Sequence, residues 1–230
     1  MGVRTSALVA VAALTVTVSV IGQQSRLDGS IVNDLLKGFG GDVSALKRGL
    51  DASTKRLGES PDDAEVLAWH GAALLSWARL GNDGLDFTAL VQNFQRATGE
   101  MNRAVDLEPD NPRVRMARGV LLQIETPGMP RFANHPGLVE NARADLQRLF
   151  DLRKDRLDSL GTHPLGELLQ GLADLNSRQD KVAEAESYYR MIASRLPNPE
   201  YAQRAAEWMK ARQPLPTAQT TCLGCHDTRR

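Results

Sequence analysis

A stretch of this chain occurs twice, and that recurrence restricts the fold more than any other feature. Pro61-Asp62-Asp63-Ala64-Glu65-Val66, followed by Gly71 and Leu74, returns as Pro109-Asp110-Asn111-Pro112-Arg113-Val114, followed by Gly119 and Leu122. Pro, Asp, Val, Gly and Leu recur at the same offsets, as expected of an array of like units. The 230 residues carry 28 Lys and Arg against 28 Asp and Glu. With no basic stripe and no interleaving of aromatic and basic residues, that balance gives no case for nucleic acid as a partner.

These residues resemble the tetratricopeptide repeat. In that family a Pro-Asp or Pro-Asn turn opens helix A. A small residue on helix A, here Gly71, Gly119 and Gly171, lets the antiparallel helices A and B approach closely. Helix B carries a small, an apolar and a small residue and closes at a proline. Ala97, Met101, Ala104 and Pro109 fit that pattern, as do Ala185, Tyr189, Ile192 and Pro197. The glycines lie 48 and 52 residues apart, against a family period of about 34. The first two units therefore carry insertions, Gly81 to Asp86 and Thr126 to Pro136, both containing helix-breaking residues. The third unit, Pro164 to Pro197, has near-standard length. Residues 42–58 read as a helix before the first full unit, and Pro199 to Arg212, with Trp208, as a cap after the last.

The resemblance implies an all-α fold of antiparallel helix-pair repeats, stacked as a tetratricopeptide-like solenoid over residues 28–212. Its concave face, built mainly by A helices, would bind peptides or proteins. Asp145, Asp151, Asp155 and Asp158 alternate with Arg143, Arg148, Arg153, Lys154 and Arg156 and read as a solvated helix face. No catalytic constellation emerges, so the chain is expected not to be an enzyme, with a peroxidase-like activity the one alternative.

Both cysteines lie at the end of the chain, in Cys222-Leu223-Gly224-Cys225-His226. Two thiols one helical turn apart, with an imidazole directly after the second, suit covalent attachment of one haem c. Cys222 and Cys225 would form the thioethers and His226 would be the proximal iron ligand. Three other readings use fewer of these residues. A disulfide between the two cysteines closes a very short loop and stabilises little. A thioredoxin-like dithiol belongs in a βαβ setting, and zinc would need a fourth ligand from elsewhere. The motif resembles that of c-type cytochromes over its five residues only. That family usually draws its sixth ligand from a long downstream segment, whereas here only Asp227 to Arg230 follow.

Residues 213–230 read as an extended, proline-containing strap with the haem-attachment tail. The strap would lay the haem over the last repeats, where Trp208, Tyr201 and Met209 supply apolar cover, or project it toward another protein. Met129, His135 and His163 are the sixth-ligand candidates. Met129 sits between prolines, and each histidine precedes a proline and so is expected in extended backbone at a helix start. His70, mid-helix beside Gly71, reads as a packing residue, and Met101, Met116, Met191 and Met209 fall at helical spacing and read as core.

Attachment of this kind happens outside the cytoplasm, and residues 1–22 read as an export signal. Arg4 supplies a positive start, and Ala7 to Ile21 an apolar run of about 15 residues, shorter than the ~20 needed to span a bilayer. A periplasmic protein is expected, soluble or, if the leader stays uncleaved, anchored in the membrane. Its expected function is electron transfer to or from a docked redox protein or membrane respiratory or photosynthetic complex. The alternative is a haem-bearing scaffold or ligand sensor with an open iron site.

Overall fold

A computed structural model describes residues 27–80, 86–129, 136–196 and 199–216. Every regular element among the described residues is helical, as the sequence reading expects. In order they are α1 (Gly29–Phe39), α2 (Val43–Glu59), α3 (Ala64–Leu80), α4 (Phe87–Leu107), α5 (Pro112–Glu125), α6 (Pro136–Arg153), α7 (Thr162–Arg178), α8 (Val182–Arg195) and α9 (Pro199–Ala211). Short 3-10 segments follow α5 at Thr126–Gly128 and α6 at Lys154–Ser159.

Side-chain caps set many of the helix starts. Asp28, Asp42, Asp86 and Asn111 each accept a backbone N–H of the first turn at 2.7–2.9 Å, satisfying donors that an α-helix leaves orphaned. Asp63 does the same for α3, accepting from the amides of Glu65 and Val66. The Pro-Asp-Asp and Pro-Asp-Asn copies in the sequence are therefore turns that end in a cap, and Pro112 occupies the first turn of α5, where its missing N–H is harmless. The chain crosses from α7 to α8 through Asp180 at φ 58°, a left-handed conformation that aspartate tolerates better than most residues.

Each odd helix packs on the even helix that follows it: α1 on α2, α3 on α4, α5 on α6, α7 on α8. Connections of three or four residues within or between pairs make chain neighbours run antiparallel. Across pairs, α2 leans on α3, α6 on α7 and α8 on α9, and α3 also meets α1 and α5. One apolar core runs from Leu27 to Trp208 without a break.

Two of the three glycines behave as the resemblance implies. A Cβ on Gly71 would sit 2.7 Å from the Ala97 carbonyl of α4, and one on Gly119 would sit 2.9 Å from Asp145 Cβ of α6. Gly171 does not: a Cβ there would strike Leu146 of α6 and Gln123 of α5, the preceding pair, not α8. Gly38 supplies a further contact of this kind, 2.6 Å from Leu46 of α2. The helix read at 42–58 is α2, and it does not stand alone before the first unit, because α1 pairs with it. Ala97, Met101, Ala104, Ala185, Tyr189 and Ile192 are all buried.

The carboxylate face read as solvated is so only in part. Asp151, Asp155 and Asp158 are exposed, but Asp145 is completely buried. Arg118 donates to both its oxygens at 2.6 and 2.9 Å, and Arg115 donates to Oδ1 at 2.5 Å. Alternating charge on α6 cannot reveal that α5 brings two guanidinium groups against one of those positions. Removing the carboxylate leaves Arg118 buried without its counter-charge. Asp145→Ala is expected to lose about 3–5 kcal/mol of stability, read as a shift of the urea midpoint at unchanged slope.

Candidate haem site

The motif Cys222, Cys225 and His226 lies outside the described residues, as do His135 and the leader at 1–22. What the structure describes is the helical body and the point from which the strap leaves it.

The direction of α9 decides that point. Tyr201 at its start packs on Gly166 near the start of α7, and its hydroxyl lies 3.4 Å from His163 Nδ1. Arg204 pairs with Asp174 at 2.8 Å, and Trp208 Nε1 donates to Ser177 Oγ at 2.7 Å near the end of α7. The contacts climb together, so α9 runs parallel to α7. At the same end Arg178 donates to Thr126 Oγ1 and to the Gln123 carbonyl, placing the C-terminal end of α5 beside that of α7. The chain thus leaves α9 at the end shared by three odd-numbered helices.

Arg212 makes the turn. Its φ of 55° ends the helix, its amide donates to the Trp208 carbonyl at 2.7 Å, and its guanidinium lies 5.5 Å from the Trp208 ring centre, a cation–π contact. It also pairs with Glu186 of α8. Leu215, three residues on, is half-buried against the core, so the first part of the strap follows the body.

Met129 and His163 lie at opposite ends of this arrangement. Met129 follows the 3-10 segment after α5, with its amide 3.4 Å from the Thr126 carbonyl and its side chain partly packed on the core. His163 is not in extended backbone as its proline predicts: it already belongs to the first turn of α7. Its ring is about two-fifths exposed, 3.8 Å from Glu167. That turn is about 22 Å along α7 from Arg178. His70 is buried as expected, 3.1 Å from Thr54 Oγ1 and 2.5 Å from Glu100.

Two expectations about apolar cover are corrected. Trp208 and Tyr201 are buried, Trp208 stacking on Tyr189 with ring centres 4.7 Å apart. Both rings are consumed by the core and leave no face for a haem. Met116, read as core, is 40% exposed. With Val120 and Ile124 of α5, Leu36 and Phe39 of α1 and Trp69 of α3, it lines a small apolar groove of about 40 Å³. The spacing of Met116, Val120 and Ile124 is legible as a second apolar stripe beside Ala117 and Leu121. Only the packing shows that this stripe is uncovered.

The charges near the strap are strongly paired. Hydrogen bonds from Arg212 and then Arg190 hold the Glu186 carboxyl at about 2, from an ordinary 4.5. Burial pushes the Asp174 carboxyl upward, against the pull of Arg204 and the Tyr189 hydroxyl. Burial also lowers the Arg178 guanidinium.

No protein-family model, no curated protein and no solved structure matches this chain. Among the described residues no helix is long and apolar enough to cross a membrane, and no group of three or more His, Cys, Asp or Glu side chains could hold a metal ion.

Because the Glu186 value is depressed on folding, its contribution is present above pH 4.5 and is lost as pH falls toward about 2. Glu186→Gln at neutral pH removes the same anchor. Trypsin is expected to cut after Arg212 faster in that variant than in the parent, and an unchanged cleavage rate would show that the ion pair does not hold the strap.

Proposed function

We propose that the chain is an exported, periplasmic monohaem c-type cytochrome whose helix pairs form a tetratricopeptide-like solenoid. The observation that carries this reading is the motif itself. It places the chain's only two thiols and an adjacent imidazole at Cys222, Cys225 and His226, a combination that disulfide and dithiol readings leave partly unused. Three features of the body support the solenoid: pairing of consecutive helices, close approach at Gly71 and Gly119, and the parallel run of α7 and α9.

In this reading Cys222 and Cys225 anchor haem c and His226 is the proximal ligand, with Met129, His135 or His163 as candidates for the sixth position. When bound, the haem supplies a one-electron iron couple. The residues of the chain do the rest. Arg212 and Leu215 direct the strap along the body, while the odd-numbered helices form the surface on which a redox protein or membrane respiratory or photosynthetic complex docks.

The test is expression with export in a host that attaches haem to such motifs, followed by a denaturing gel stained for haem and an absorption spectrum. A covalently stained band, lost in Cys222→Ala/Cys225→Ala while far-ultraviolet circular dichroism keeps its helical signal, is the expected outcome. An unstained parent chain would sink the reading.

A further inference from the structure

Between α7, α8 and α9 the core holds an aromatic pair joined to a buried carboxylate. Tyr189 of α8 and Trp208 of α9 are fully buried, and their rings stack with centres 4.7 Å apart and planes 21° from parallel. Apolar packing accounts for the stack, but not for what the polar ends of the rings touch. The Tyr189 hydroxyl donates to Oδ1 of Asp174, whose Oδ2 accepts from Arg204 at 2.8 Å. The Trp208 indole N–H donates to a neutral hydroxyl, Ser177 Oγ, at 2.7 Å. The adjacent Tyr188 has no such arrangement: its hydroxyl donates to the side-chain carbonyl of Gln147 at 2.8 Å.

We propose that Tyr189 and Trp208 are a one-electron relay in which Trp208 takes up an oxidising equivalent and passes it to Tyr189, with Asp174 as the proton acceptor. The site lies wholly within α7, α8 and α9 and does not rest on the haem reading. A one-electron oxidant at the surface, a metal complex or an oxygen-centred radical, removes one electron from the indole and is itself reduced. The indole radical cation then takes one electron from Tyr189. In that step the phenolic O–H bond breaks and the proton passes along the existing hydrogen bond to Asp174 Oδ1. The products are intact Trp208, a neutral tyrosyl radical and a protonated Asp174. One electron from an ene-diol reductant, with the same proton returned by Asp174, restores the starting state.

The proton decides where the oxidising equivalent rests. Oxidation turns a phenol into a strong acid, so the electron leaves readily only when a base already waits on the hydroxyl. Burial pushes the Tyr189 hydroxyl upward, so the ring rests as the neutral phenol. Burial also pushes the Asp174 carboxyl upward, so this carboxylate holds a proton better than an exposed one. Trp208 lacks such a base, because the Ser177 hydroxyl is a poor proton acceptor. The Arg212 guanidinium, 5.5 Å from its ring centre, also opposes positive charge on the indole. The equivalent therefore moves on to Tyr189. Arg212 is itself exposed, so the side chain that covers the indole is one an oxidant can reach.

Flash-quench oxidation with a ruthenium polypyridyl complex tests the relay. The sample is the full-length chain carrying Cys222→Ala/Cys225→Ala, so that no haem iron competes for the oxidising equivalent. Electron paramagnetic resonance and transient absorption report which ring holds the radical. The expected result is a tyrosyl radical that survives in Tyr188→Phe and Tyr201→Phe and is lost in Tyr189→Phe, a change that removes one oxygen and keeps the stack. Its formation is expected to slow several-fold in Trp208→Phe, and also in heavy water after exchange of the buried hydroxyl. In Asp174→Asn an indole radical is expected in place of the tyrosyl one. No tyrosyl radical in the parent, or one that persists in Tyr189→Phe, would overturn the relay. An unchanged rate in a Trp208→Phe chain that keeps its helical circular dichroism would remove Trp208 from it. Equal rates in light and heavy water, or parental tyrosyl formation in Asp174→Asn, would overturn Asp174 as the proton acceptor.

Discussion

Backbone-level contact at a few glycines sets the spacing on which the rest of this fold depends. At Gly38, Gly71 and Gly119 the neighbouring helix lies where a Cβ would be, so the paired helices approach more closely than larger side chains would permit. Close spacing in turn lets short residues such as Ala97, Ala104 and Ala142 finish the contact without voids. A single pair made this way still leaves one apolar face uncovered, and stacking on the next pair covers it. The unbroken core from Leu27 to Trp208 is the consequence.

Apolar contact alone would let neighbouring pairs slide, and buried charge pins them. Glu125 of α5, 2% exposed, accepts from Ser76 and from Arg79 of α3. Arg178 reaches back from α7 to the end of α5, and Asp174 of α7 holds Arg204 of α9. One such link therefore joins each odd-numbered helix to the next from α3 onward. The same links align the C-terminal ends of α5, α7 and α9, which is why the strap begins at that end of the array and not at the end that carries His163. The register that stabilises the array and the route open to the tail are one arrangement.

The legible part of the fold was local. The Pro-Asp turns announced helix starts because an aspartate or asparagine there caps orphan amides, and the structure shows those caps at Asp63 and Asn111. The buried faces of α4 and α8 followed from helical spacing. Helix α1 was missed, although Asp28, Leu35, Phe39 and Gly40 carry a cap, an apolar face and a stop. Asp145, Gly171, Trp208 and Met116 were misread for a common reason: each is decided by a helix from elsewhere in the chain.

The sequence by itself determined that this chain is helical, where most helices begin, and that two thiols and an imidazole stand together at its end. Those properties depend on residues within a few positions of one another, through hydrogen bonds and side-chain spacing that act locally. Tertiary structure decided which apolar stripe is core and which is open, which carboxylate is buried, and at which end of the array the strap departs. Helical periodicity says only which residues share a face; whether that face meets water, a guanidinium or another helix depends on how distant segments pack against it.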